Sequence, residues 1–226
     1  MVSVVAACAA AGLVIGGISM TGLGGKFAEL VFVLAGDSTF LVLAISAILA
    51  IILGMGMPTP SAFILSAVLV GPTMLALGIG VLQTNMFILY FAVLSAMTPP
   101  VAVAAFAAAA IADAKPLEIA VGAVRLAITA FVVPFAFVYG DGLLLNGSIS
   151  SIVISCVTAV VGVILLSIGV EGYWRERLNT PARLGFGIAG LLFIFPSVIA
   201  IAIAVMLALG SAMMTPHLRT HLRLSH

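Results

Sequence analysis

The chain has 226 residues, of which 64% are hydrophobic and 7% charged, with a formal net charge of +1. Soluble domains carry about 25% charged residues, so this composition, with mean hydropathy +1.42, excludes an ordinary soluble globule and places the chain in a membrane. A balance this close to neutral supplies no basic stripe for nucleic acid, and Cys8 and Cys156 sit in apolar runs that suit small core residues rather than a disulfide or a metal site.

The predicted fold class is an all-α membrane protein. Met1-Val2-Ser3 carries no positive n-region, so the run Val2 to Met20 reads as a retained spanning helix and not a cleaved signal. Charged or turn-rich punctuation follows at Thr21-Glu29 and Gly36-Ser38, and recurs at Asp113-Glu118, Tyr139-Ser148, Glu171-Arg183 and in a basic tail from Thr215. Thr39 to Leu53 and Ser61 to Leu75 are then half-length helices around an irregular tip, Gly54-Pro60. At 1.5 Å per residue each arm is about 22 Å long, short of the roughly 30 Å hydrocarbon core. Arms that short predict a re-entrant hairpin, entering and leaving on one side. The competing reading is a loop outside the membrane, which usually carries charge; this tip offers only Thr59 and Ser61.

Gly78-Asn85 leads into Met86 to Ser95, a break at Met97-Pro100, and Val101 to Ala112, which together make one discontinuous span. A proline kink is the alternative, but tandem prolines after a threonine favour a true restart. Full spans are expected at Leu117-Tyr139, Ile149-Gly169 and Leu184-Leu209, giving about five full spans beside the hairpin and the discontinuous helix. Lys115, Arg175, Arg177 and Arg183, with Arg125 nearby, outnumber Lys26, Arg219 and Arg223 on the opposite face. The first group is expected in the cytoplasm, so the hairpin opens outward. Arg125 reads as a snorkelling anchor, Tyr173-Trp174 as an interfacial one, Gly12 and Gly16 as a helix-packing pair, and Asn146-Gly147-Ser148 as a turn.

The two breaks carry the chemistry. A bilayer core leaves unpaired peptide groups unsatisfied, so irregular backbone at that depth is tolerated where it is buried in protein or lines a cavity. Paired breaks are a sign of a transport site built from half-helices. Thr59-Pro60 and Thr98-Pro99 each read as an N-cap threonine followed by an N1 proline. Their helix N-termini would favour a carboxylate, while Ser95, Thr59 and Thr98 would supply oxygens to sodium. Gly54 and Gly56 permit close backbone approach, and Met57, Pro58, Ser61 and Pro100 complete the candidate ion and substrate site. From Thr39 to Ala112 there is no Asp, Glu, His, Lys or Arg. Proton coupling normally uses a titratable group near the midplane, so sodium is the expected coupling ion, with no cofactor. His217, His221 and His226 all lie in the tail, which leaves no membrane serine a base and argues against an enzyme.

Gly54-Met55-Gly56-Met57-Pro58-Thr59 and Tyr90-Phe91-Ala92-Val93-Leu94-Ser95-Ala96-Met97-Thr98-Pro99-Pro100-Val101-Ala102 resemble the C-terminal part of the fused membrane (permease) subunit of TRAP transporters, nearest the TAXI-type group. Ala6-Ala7-Cys8-Ala9, Thr21-Gly22-Leu23-Gly24, Ala123-Val124-Arg125-Leu126 and Phe131-Val132-Val133-Pro134-Phe135 support it. Asn85-Met86 stands where that family often has a histidine. The resemblance implies a repeat of the transport domain over 1–145, with additional helices and the tail over 146–226. It implies half of an inverted-repeat elevator fold, in a multi-pass protein of the bacterial inner membrane. The implied activity is sodium-driven import of a small organic acid or amino acid. Its partners would be a periplasmic TAXI-type solute-binding protein, the remaining permease repeat or a small membrane subunit, and the lipid bilayer. One hairpin-plus-broken-helix unit where the family has two leads to the expectation of a fragment, a truncated product or one piece of a split permease. A non-transporting scaffold or assembly subunit and a channel-like pore are the alternatives from other classes.

Overall fold

A computed structural model describes residues 5, 9, 12, 13, 16–18, 20–36, 38–174, 176–194 and 198–213. The run Val2–Met20 therefore lies mostly outside the described residues, as do Cys8, Asp37, Arg175 and the whole tail from residue 214 with Arg219 and Arg223; the described members of that run are helical. The chain forms two compact units, 1–124 and 125–226.

The first unit contains α1 (Leu23–Ala35), α2 (Thr39–Gly54), α3 (Thr59–Ala76), α4 (Val81–Leu94) and α5 (Val103–Ala112). The helix α6 (Pro116–Leu126) runs across its boundary. Punctuation at Thr21-Glu29 proves narrower than expected. Only Gly22 turns, at φ 65°, and Lys26 and Glu29 lie within α1. Gly36, at φ 57°, closes α1 by donating its N–H to Phe32 O at 2.9 Å. Ser38 caps α2, its hydroxyl accepting from Leu41 N. The connection expected at Gly78-Asn85 is shorter too, because Gln83 Oε1 accepts from Gly80 N at 2.7 Å and caps a helix that already includes Gln83, Thr84 and Asn85.

Two packed helices stand where the hairpin is expected, and the second is longer than the half-length arm expected there. The helices α2 and α3 are joined by Met55 to Pro58 and pack on each other, and α4 packs against both. With 18 residues, α3 is about 27 Å long and is apolar enough to cross a bilayer by length and composition. Phe87 and Phe91 on α4, with Leu43, Val70 and Met74, form fully buried core of the unit. Ala102, Ala105 and Ala120 make a separate small-residue contact between α5 and α6.

The second unit contains α7 (Ile128–Tyr139), α8 (Ile149–Glu171), α9 (Thr180–Ile194) and α10 (Val198–Met213), with a 3-10 turn at Asp141–Leu144. A two-residue ladder joins β1 (Tyr173–Trp174) to β2 (Glu176–Arg177). Two expected spans divide. Leu117-Tyr139 is interrupted at Ala127, where the sequence offers no glycine or proline to announce it. Leu184-Leu209 becomes α9 and α10, which pack on each other; Pro196 between them lacks the N–H a continuous helix needs. The expected span Ile149-Gly169 is observed as α8, whose 23 residues suffice to cross a bilayer.

Glycine sets the spacing of α8 and α9. A Cβ on Gly162 would sit 2.9 Å from Gly190 O, one on Gly169 would sit 2.6 Å from Gly187 N, and one on Gly190 would sit 2.7 Å from Gly162 O. Backbones this close leave no room for a side chain, which is how apolar helices associate where the lipid is as apolar as they are. Gly12 and Gly16 show no such neighbour among the described residues. Arg183 Nε and Nη2 donate to Gly169 O and Val170 O, at 3.3 and 2.9 Å, and cap the end of α8. Trp174 stacks on Phe186, with ring centroids 5.5 Å apart. Arg125 lies 3.8 Å from Glu171 in an exposed pair, which contributes little to stability. The packing predicts that Gly190→Ala destabilises the protein by about 1–3 kcal/mol through overpacking, whereas Gly187→Ala, whose Cβ meets nothing within 4 Å, is neutral. Thermal unfolding of both variants in detergent checks this; equal melting temperatures would contradict it.

Candidate functional site

The two breaks meet. Gly54 ends α2, and a Cβ built on it would overlap Ser95 Oγ and lie 2.9 Å from Ser95 Cβ and 3.5 Å from Ala62 Cβ. Ser95 is the first residue after α4, and Ala62 lies on the first turn of α3. Farther along the tip, Gly56 adopts φ +75°, and its Cβ would lie 3.5 Å from Val101 Cγ1. Glycine is thus required at 54 by close approach and favoured at 56 by backbone conformation. The tip between α2 and α3 touches the second break at both of its ends.

Two helix C-termini come together at the Gly54–Ser95 contact. A helix C-terminus carries partial negative charge, which favours a cation; the carbonyls of Ile52, Gly54 and Ser95 here each accept one backbone N–H and keep a second lone pair. The hydroxyls there point the same way chemically. Ser95 Oγ donates to Ala92 O at 2.7 Å and is buried; Thr98 Oγ1 donates to Leu94 O at 2.8 Å and is half-buried. A hydroxyl has one proton and two lone pairs. With the proton committed to a carbonyl, each oxygen presents lone pairs alone, as a cation ligand does. Ser61, 3% exposed, has no hydrogen-bond partner for its hydroxyl among the described residues.

The capping geometry differs from expectation. Pro58 occupies the N-cap of α3, so Thr59 and Pro60 are its first two helical residues. The second helix restarts later still, at Val103, behind a left-handed Ala102 at φ 36°. The cause lies in the tandem prolines. A residue that precedes proline is driven out of the α region, which applies to Thr98 and again to Pro99. Thr98 is extended, at φ −87° and ψ 129°, and its hydroxyl turns back to Leu94 instead of forward. A 3-10 turn, Ser95–Met97, ends the first half. The break is therefore a true interruption and not a kink. Thr59, Met57 and Pro99 are half-buried near these contacts; Pro58, Pro60 and Pro100 are exposed. Ala62 and Val101 are contacts that the sequence reading missed. A small residue at each side of a close approach is the signal available for Ala62; none marks Val101.

The model of the family described as "Tripartite ATP-independent periplasmic transporter, DctM component" matches residues 1–152. The chain belongs to that family. It is an integral membrane component of a transporter and not an enzyme. No curated protein and no solved structure matches the chain. Both breaks fall inside the matched residues. If their contact shapes the site of this DctM component, Gly54→Ala alone lowers stability by about 1–3 kcal/mol, and adding Ser95→Gly recovers most of the loss. A double-mutant cycle on thermal unfolding measures the coupling; additive losses would show that the two residues do not touch.

Proposed function

We propose that this DctM component carries one half of the transport domain of a sodium-coupled importer, taking up a small organic acid or amino acid delivered by a periplasmic solute-binding protein of the TAXI type. The observation that supports it most is the Gly54–Ser95 contact, where two helix C-termini and two hydroxyls with committed protons converge. In this reading Ser95 and Thr98 ligate sodium, with Thr59 contributing from the hairpin. The substrate carboxylate lies toward the N-termini of α3 and α5, near Gly56 and Val101. The hairpin α2–α3 is re-entrant and opens outward, and Met57, Pro58, Pro60, Ser61, Pro99 and Pro100 line the surrounding irregular backbone. A second hairpin-and-broken-helix unit, from a further permease repeat, completes an elevator-type domain in the bacterial inner membrane; a small membrane subunit assembles beside it. The absence of Asp, Glu, His, Lys and Arg from Thr39 to Ala112 supports sodium over protons.

Thr98 separates a ligand from a shaping role. Thr98→Ser keeps the oxygen and is expected to leave sodium dependence unchanged. Thr98→Val keeps the volume and loses the oxygen, so the sodium concentration for half-maximal uptake rises while membrane expression holds. Uptake by the assembled transporter against sodium concentration, with the proton gradient collapsed, checks both the ligand and the ion. Unchanged sodium affinity in Thr98→Val would remove Thr98 from the site, and uptake that vanishes with the proton gradient would overturn sodium coupling.

A further inference from the structure

An open groove of about 370 Å³ runs between α8 and α9 in the second unit. Its floor is the glycine contact of those helices. Gly169 cannot carry a side chain, because Gly187 N and Arg183 O stand 2.6 and 2.9 Å from where its Cβ would be. Gly187 is different. Nothing lies within 4 Å of its own Cβ position, so α8 does not demand glycine there, and the missing side chain leaves the groove open. Leu166 and Val170 on α8 line one side. Leu184, Ile188 and Leu191 line the other and are exposed; spaced four and three apart, they share one face of α9.

Arg183 lines the same groove at its other extreme. Leu191 lies about 12 Å beyond it along α9. The guanidinium gives one N–H to Gly169 O and one to Val170 O, and an arginine has further donors to give. It forms no ion pair among the described residues, and Glu171 is taken by Arg125. The level of this end in the bilayer follows from α8, which is long and apolar enough to cross and ends at Glu171. Tyr173 and Trp174 come next, residue types that mark the membrane–water boundary. Arg183 therefore stands at headgroup level, and Ile188 and Leu191 stand in the hydrocarbon. The basic residues around it lead to the expectation of the cytoplasmic face, whose leaflet carries anionic lipid.

We propose that this groove binds one anionic phospholipid, with its phosphate on Arg183 and an acyl chain laid over Gly187 along Leu184, Ile188 and Leu191. The order of polarity along the groove is that of the lipid itself, charge first and hydrocarbon after. An arginine fork matches phosphate oxygens, and a basic pocket between spanning helices is a recognised home for an anionic headgroup. A flat helix face would only be wetted by exchanging lipid. Here the bare backbone at Gly169 and Gly187 hollows the surface and holds a chain in place. A further helix is the poorer occupant, since it is about 10 Å wide with its side chains and two backbones nearly in contact leave a narrower slot. The site lies wholly in the second unit and does not depend on the sodium reading of the first.

Native mass spectrometry of the full chain, released from micelles holding equal phosphatidylglycerol and phosphatidylcholine, tests this. The wild type is expected to retain phosphatidylglycerol over phosphatidylcholine by about fivefold, the worth of one basic residue against an anionic lipid. Arg183→Gln keeps an amide that can cap α8 but loses the charge, and should retain the two lipids equally. Gly187→Leu keeps the charge and fills the slot, and should retain neither above the level of unrelated detergent adducts; Gly187→Val is the smaller replacement should leucine not fold. Equal retention of the two lipids by the wild type would overturn the proposal. So would a preference that survives in folded Arg183→Gln, or retention unchanged when position 187 is filled. A wild type that runs as a dimer without lipid would overturn it as well, because a second copy would then cover the groove.

Discussion

A chain this apolar can interrupt its helices only where something covers the interruption, because an unpaired peptide group away from water costs several kcal/mol. Here the cover for each break is the other break. Gly54 is buried because Ser95 occupies the space where its side chain would be, and Gly56 faces Val101 across the same boundary. The approach depends on a missing Cβ on one side and a serine on the other. Once it forms, α2 and α4 end at the same level and α3 starts there. The cation-favouring field follows from that one close approach.

The two units solve helix association with the same device used differently. In the second unit Gly162, Gly169 and Gly190 remove side chains along the length of α8 and α9, and the backbones lie nearly in contact. In the first unit close approaches occur at the tip and where Gly24 of α1 meets the backbone of Val68 on α3. Farther down, larger residues such as Leu43, Phe87 and Phe91 fill the space between the helices.

Much of this was legible in the sequence. Glycine, proline and threonine at 54–60 and 95–100 marked both interruptions, because those residues act on the backbone of their own segment and the immediate neighbours. The expected arms of the hairpin fall within two residues of α2 and α3, though α3 is longer than a half-length arm. What escaped were features set by tertiary partners. The interruption at Ala127 has no local breaker, and the helix α4 extends back to Val81 through polar Gln83 and Thr84 because Gln83 caps it. The threonine caps were misassigned for a subtler reason. Both threonines precede prolines, and at Thr98 the constraint proline imposes on its predecessor outweighs the capping preference, while the carbonyl of Leu94 offers a nearer acceptor. The pairing of Gly54 with Ser95 joins residues some forty positions apart, and no spacing rule in the sequence announces it.

Convergence of the two breaks is the central claim, and a disulfide across them tests it most directly. In a chain with Cys8 and Cys156 replaced, Gly56→Cys and Val101→Cys should crosslink readily under mild oxidation in membranes, since the Cβ position of Gly56 lies 3.5 Å from Val101 Cγ1 and the two side chains meet within reach of a disulfide. Gly78→Cys at the opposite end of the hairpin, paired with Val101→Cys, should not. Rapid crosslinking of the first pair and none of the second is the predicted result. Failure of the first pair to crosslink, or equal crosslinking of both, would mean that the breaks do not form one site.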